Sequence, residues 1–514
     1  MRGARPSILF AILVWSLLIL RFGYRYGTGD QVELLPYALY LHDSSLYPHD
    51  FFIQGLSASV PNERTVMAHF VLPFINHLEV FCFIMQLFST LLLVMGLQQL
   101  TFRFIHNKYL AWLAILIAMI PLNDFALGNV ELYSECFQAS GLAVAIVVWA
   151  INLFLDKKFY AASALMALST FVQLLEGLDV MIVLSLVLLF MVVTRQLPLK
   201  TWLGFTGLYL ATAGVYLVVI LMHKMGHVPG SYNPVSNAEL FKIVFQFRHP
   251  HHFIFLSFPK FKMVVFFGLT LCSLVFYSSH SSKMFDFILL GLFGVIVYAF
   301  VVDAFHNVFI GNFQFYKVTS WMKFLGVVAA VGLAEEFYLK KWNLPDLIKF
   351  ELPGILLAAG LSGVVILFFS AHLPYTVPFE LFGMKDKDDM ITICKEIEAK
   401  TPNDAVFIQP FDNTELKFYG RRSSFVEFKA NVKHKDFVGE WYRRIQIVYG
   451  ISAIDAQQGF LLKDKADANY YTSNGWQFAN KAGYGITHML VHKEYKPPYG
   501  TLLFANNTYA VYKL

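Results

Sequence analysis

Two acids stand three residues apart, Asp30 and Glu33, in the segment Gly29-Asp30-Gln31-Val32-Glu33. They come just past an apolar run covering about 7–20, extended by Phe22 and Tyr24. A carboxylate so close to a bilayer is costly unless it faces water or has a partner, which makes an acid there a functional candidate. At i, i+3 spacing the pair shares one helix face. Such a carboxylate can take a proton from an acceptor hydroxyl or amine as general base. The same residues would serve equally as solvated loop acids or as charges at a helix N-terminus.

A second constellation is Arg248-His249-Pro250-His251-His252. A guanidinium grips phosphate through two parallel hydrogen bonds, and neighbouring imidazoles can donate to it. The bland alternative is an interfacial basic patch near lipid headgroups. A divalent metal there would need acids from elsewhere, because adjacent histidines lack the i, i+4 spacing of helical ligands. Glu131 and Glu135, at i, i+4, are candidates for that or for a second acid, though a solvated face is the simpler reading. Glu176 and Asp179, between two apolar runs, suit a similar role or the cap of a tight turn. Lys317, in Gln314-Phe315-Tyr316-Lys317, can neutralise a phosphate or merely snorkel. Tyr419-Gly420-Arg421-Arg422-Ser423 and Trp441-Tyr442-Arg443-Arg444 read first as surface ion pairs and core aromatics, and otherwise as basic and aromatic groups facing an oligosaccharide or the catalytic loops.

The elements that must position these residues are mostly membrane helices. The 514 residues are 57% hydrophobic and 15% charged, against about 25% charged in soluble domains. The deficit lies in 1–375, where long apolar runs alternate with pinned charges; 380–514 reads as an ordinary soluble domain. A span needs roughly 20 mainly apolar residues. Candidates lie near 7–24, 79–99, 108–122, 137–155, 160–175, 178–194, 202–222, 263–278, 285–303, 318–338 and 352–371, about eleven in all. The first follows Arg2 and Arg5 without a small-residue cleavage site, which predicts an uncleaved helix.

Basic residues fall on alternate connections: Arg2/Arg5, Arg103/Lys108, Lys157/Lys158, Arg195/Lys200, Lys283 and Lys340/Lys341/Lys349. That places the N-terminus in the cytoplasm and, with eleven spans, the tail outside. The net charge of +5 is thus a topology signal and not a nucleic-acid footprint. The long connection 25–78 falls on the outer side; its apolar segment 65–75 is short enough to predict an interfacial helix. Four cysteines, Cys82, Cys136, Cys272 and Cys394, offer neither a disulfide framework nor a CxxC metal motif.

In the tail, helices are expected at 388–400, 436–448 and 466–482. Strands are expected at 405–409, within 415–429, and at 487–492 and 508–513, a layered α/β domain. No glycine-rich phosphate loop follows any of the strands. The expected organisation is a polytopic α-helical domain over 1–380 and a soluble α/β domain over 381–514.

The stretch Gly29-Asp-Gln-Val-Glu-Leu-Leu-Pro-Tyr-Ala-Leu-Tyr, on to Leu46-Tyr-Pro-His-Asp-Phe-Phe52, resembles the first outer loop of the GT-C superfamily of integral-membrane glycosyltransferases. In protein O-mannosyltransferases and aminoarabinose transferases an Asp-Glu-type motif follows the first helix. Asp30 matches the catalytic Asp, and Gln31 stands where many members have Glu. The Arg-His-Pro-His-His motif and the tail's Thr401-Pro-Asn-Asp-Ala405, Arg421 and Trp441–Arg444 are similar to a bacterial branch of that superfamily. The resemblance implies a multi-pass protein of a bacterial inner membrane with a periplasmic C-terminal domain. It also implies an enzyme that moves a sugar from a polyprenyl-phosphate-linked donor to a glycan, lipid or protein acceptor. Asp30 would be the base, and Arg248, His249, His251, His252 and Lys317 would meet the donor phosphate. Two other classes stay open: a transporter, which wants acids and broken helices deep in its spans, and a scaffold whose tail binds a partner.

Overall fold

The computed structural model describes residues 5–228, 232–341, 388–411, 413–453, 459–472, 477, 480, 483–498 and 500–514. The expected span at 352–371 lies outside them. Among the described residues, six helices are long and apolar enough to cross a membrane: Thr65–Thr101, Leu174–Val193, Leu199–Lys224, Lys260–His280, Ser282–Phe305 and Val308–Phe337. Four apolar helices are shorter: Ile8–Phe22, Lys108–Met119, Ala139–Leu155 and Phe159–Val172. The chain is a multi-pass membrane protein with a small mixed sheet.

One expectation is corrected. The segment 65–75 does not stand alone as an interfacial helix. A helix at Thr65–Val71 and a 3-10 turn at Leu72–His77 run straight into the helix Leu78–Thr101. Pro73 lies at the start of the 3-10 turn, where its missing N–H costs nothing, so the rod continues through it.

The described residues fall into two compact units. The first draws on Met1–Tyr24, Cys82–Leu217 and His251–Phe379. Its helices begin at polar caps that bind first-turn amides lacking helical partners. The Ser7 hydroxyl accepts from Phe10 N, Asn107 from Tyr109 N and Leu110 N, and Ser281 from Met284 N. In lipid, helices associate through close packing and hydrogen bonds and not through hydrophobic burial. Both are present here. A Cβ on Gly96 would lie 2.3 Å from a Val148 methyl, and one turn on the Asn152 amide donates to Gly96 O at 3.0 Å. Ser163 donates to Phe205 O at 2.7 Å, and the Thr170 and Tyr209 hydroxyls meet at 2.8 Å. Leu203, Val215, Phe293 and Phe300 stay exposed, as lipid-facing side chains do.

The second unit draws on Arg25–Phe81, Val218–Pro250 and Glu380–Leu514. Its sheet has five strands among the described residues: β1 (Val406–Ile408), β2 (Ser423–Ser424), β3 (His488–His492), β4 (Thr501–Ala505) and β5 (Tyr509–Lys513). Their order is β2-β1-β3-β5-β4. β1 pairs parallel with β2 and β3; β5 pairs antiparallel with β3 and β4. The amphipathic helix Asp389–Lys400, capped by Asp388, lays Ile393, Cys394 and Ile397 against Phe407, Leu490 and Val511 of the sheet.

Of the stretch 415–429, where strand was expected around Arg421 and Arg422, β2 takes Ser423–Ser424, and the residues ahead of it form the helix Glu415–Gly420. The structure gives the reason. Leu416 must reach the same core cluster, while Lys417 is buried between Asp50 at 3.2 Å and Glu427 at 3.0 Å. Asp50 also caps Ile53 N and accepts from Ser424 N at 2.9 Å. Asp50 starts the short helix Phe51–Ala58, so one carboxylate joins the first long loop to the tail within this unit.

Candidate functional site

Asp30 ends a turn that only glycine tolerates well. Gly27 and Gly29 have φ of +70° and +60°, in the left-handed region. Gln31 closes the turn by accepting from Gly27 N at 2.8 Å and is itself buried. Asp30 then takes the N-cap position of the helix Gln31–His42, but its side chain makes no capping hydrogen bond. An N-cap aspartate ordinarily binds the amide two or three residues on. Here the carboxylate is half-buried and leaves that bond unmade.

Glu33, one turn into the helix, is buried and paired with the Arg64 guanidinium. Arg64 is held by an Asx turn: Asn62 Oδ1 accepts from Arg64 N at 2.9 Å, and the Asn62 amide donates to Leu56 O at 3.0 Å. Burial pulls the Arg64 guanidinium down from its usual range, and the nearby Asp30 carboxylate acts against that shift. Asp30, Glu33 and Arg64 are thus brought together, one carboxylate tied in an ion pair and the other uncommitted as a cap.

The other expected site residues have different surroundings. Arg248 is buried; its Nε and Nη2 donate to Phe428 O and Lys429 O, each at 2.7 Å, and its plane lies 4.8 Å from the Phe428 ring centre. His249 belongs to the same unit and lies 3.3 Å from Arg248 Nη1. His251 and His252 belong to the first unit, where His252 Nδ1 meets Gly128 O at 2.7 Å. Lys317, also in the first unit, pairs with Glu176 at 2.6 Å, beside the fully buried Asp179. Glu131 is exposed, with Asp124, Glu135, Lys262 and Lys323 as charged neighbours.

In the tail, Trp441 donates to Glu427 O at 2.9 Å. Arg444 holds Glu440 at 2.8 Å and Phe425 O at 2.9 Å, and Arg422 holds Glu398 O at 2.6 Å and Thr401 O at 2.7 Å. These groups fasten the tail's own loops, the blander of the two readings.

Sequence reasoning passed over a cavity in the second unit whose walls carry several charged and amide side chains. Asn62, Glu63 and Arg64 line it with Lys224, Asn431 and Lys433. Lys224 ends an apolar run, and Lys433 sits in Asn431-Val-Lys-His-Lys435, a basic run that reads as an ordinary solvated surface.

Residues 388–448 match the family DUF6798, a domain of unknown function. No curated protein matches the chain. Among solved structures, the chain is similar to ArnT from Cupriavidus metallidurans, in a crystal structure bound to undecaprenyl phosphate. The identity is 12%, the TM-score is 0.46, and the match covers 98% of this chain and 97% of that one.

Proposed function

We propose that this protein is a membrane glycosyltransferase in which Asp30 is the general base. The observation that carries the reading is the pair of fates at the start of Gln31–His42: Glu33 is neutralised by Arg64, while Asp30 keeps a carboxylate unused by its own helix. The Arg64 guanidinium sets a positive charge near that carboxylate. The residues around it, 29–52, are those that resemble the GT-C first loop. On this reading the donor is a polyprenyl-phosphate sugar. The acceptor's oxygen bonds to the anomeric carbon as the bond from that carbon to the phosphate oxygen breaks. The acceptor's proton passes to Asp30, and the lipid phosphate departs with the electron pair. The reaction lies on the outer face, where the alternation of basic loops puts 25–78 and the tail. Arg248 and Lys317 serve the fold in this reading, because their charges already meet the 428–429 carbonyls and Glu176.

The test is sugar transfer from polyprenyl-phosphate donors by the purified full chain. Asp30→Asn keeps size and hydrogen bonding and removes the proton acceptor. We expect a rate loss of about 10²–10⁴-fold, with donor binding kept. Full activity in that variant removes the assignment.

A further inference from the structure

The cavity between the first long loop and the tail segment 431–434, inside the second unit, has the chemistry of an anion site. Its walls carry Arg64, Lys224 and Lys433. Two carboxylates answer them: Glu33 pairs with Arg64, and Glu63 lies 3.7 Å from Lys224. Arg64 is met by Glu33, with Asp30 nearby, and Lys224 by Glu63, so the cation left over is Lys433, which makes no ion pair among the described residues. A second observation points the same way. Asn431 lines the cavity, is 94% buried, and its amide nitrogen has no acceptor among the described residues. A buried donor without an acceptor is costly unless a ligand supplies one. Lys433 and Asn431 sit two residues apart on one loop, one offering charge and the other a fixed N–H.

We propose that this cavity binds a singly charged oxyanion, a carboxylate or a phosphodiester. A dianion would bring a second negative charge that the one uncommitted ammonium does not balance, which makes a monoanion the better match. A neutral sugar would leave Lys433 uncompensated. The carboxylate would come from a sugar acid, the phosphodiester from a lipid headgroup. Anion binding here requires neither sugar transfer nor a catalytic role for Asp30.

Lys433 gives the site a pH signature. Burial and its like-charged neighbours Lys224, Arg64 and Arg248 pull its ammonium down to about 8, against the pull of Glu63. His223 and His434 also line the cavity; burial pulls His434 below its usual range, so it stays neutral above pH 7. The protonated ammonium binds the anion, so affinity falls as pH rises through about 8. Binding near that pH takes up a proton.

The experiment is calorimetric titration of the full chain in detergent with glucuronate and with glycerophosphoglycerol, glucose and glycerol serving as neutral controls. We expect one of the two anions to bind at least tenfold tighter than either neutral control. Proton uptake should appear at pH 8 as a buffer-dependent heat. Binding by glucuronate alone assigns the sugar-acid source; binding by the phosphodiester alone assigns the headgroup. Lys433→Gln and Asn431→Ala should each weaken binding about tenfold. Lys433→Arg should keep binding and lose the fall between pH 7 and 9, which decides the matter if the other variants do not fold. No preference for either anion over the neutral controls, or a pH profile unchanged in Lys433→Arg, overturns the proposal.

Discussion

A buried imidazole and a buried guanidinium show how far single side chains of the second unit depend on partners they cannot choose locally. His488 stacks on Phe407 at 4.9 Å, and its Nδ1 meets the Thr487 hydroxyl at 2.8 Å. Burial, helped by the Lys513 charge, pushes the imidazole down to about 4. Below the unfolded value of about 6.5 the unfolded chain binds a proton that the folded chain refuses. Stability therefore falls as pH drops from about 6.5 toward 4, and is complete above that window. Melting curves of wild type and His488→Asn between pH 4 and 7 should show the acid-sensitive part of this loss only in the wild type. Arg248→Ala removes two charge-assisted hydrogen bonds to the 428–429 carbonyls. It should destabilise the second unit by about 2–4 kcal/mol, read as a lower unfolding midpoint; an unmoved midpoint would return the guanidinium to ligand binding. Arg248 and Lys317 were legible as notable cations from the sequence. What each cation meets was not, because Arg248's acceptor lies 180 residues away and Lys317's carboxylate 141. Asp30 was legible because its apolar run, glycines and acid are contiguous.

At the scale of elements, the buried group Lys417–Asp50–Glu427 joins a loop, a helix and a strand end. Burial pushes the Glu427 carboxyl up while Lys417 draws it down; the two carboxylates push the Lys417 ammonium up against burial. Lys417→Met should be among the most damaging changes in the chain, at about 3–5 kcal/mol, because two carboxylates would stay buried without a cation. The triple change Lys417→Met, Asp50→Asn, Glu427→Gln should recover much of that loss; chemical denaturation of the three proteins compares them. Elements with a pattern of their own were legible, and those held by distant partners were not. The helices Asp389–Lys400 and Lys435–Tyr449 have clear apolar faces, and both were expected. Glu415–Gly420 is only six residues long and is held by Lys417's partners, so its own pattern carried too little. β4 went unread because Leu502 and Leu503 are both exposed and a register shift interrupts its pairing, which removes the alternation that marks a strand.

For the whole molecule, hydropathy marks where apolar runs stop near 380, but it cannot show what the tail packs with. The compact unit holding 388–514 also contains Arg25–Phe81 and Val218–Pro250. A fragment of 381–514 expressed alone lacks Asp50, Phe51 and Tyr232, which contact Lys417 and Arg444. It should show no cooperative unfolding transition, and a sharp two-state melt would contradict that. The same arrangement has a consequence for biogenesis. Tyr47 donates to Lys417 O across 370 residues of chain. At roughly 5–20 residues per second a ribosome needs about 20–70 s to cover that interval. Throughout it the nascent first loop carries Tyr47, Phe51 and Phe52, all buried in the finished unit, with no tail to cover them. The loop is therefore a client for a holding chaperone during synthesis, and a ribosome stalled before codon 417 leaves behind a chain that quality control can recognise by that uncovered aromatic surface.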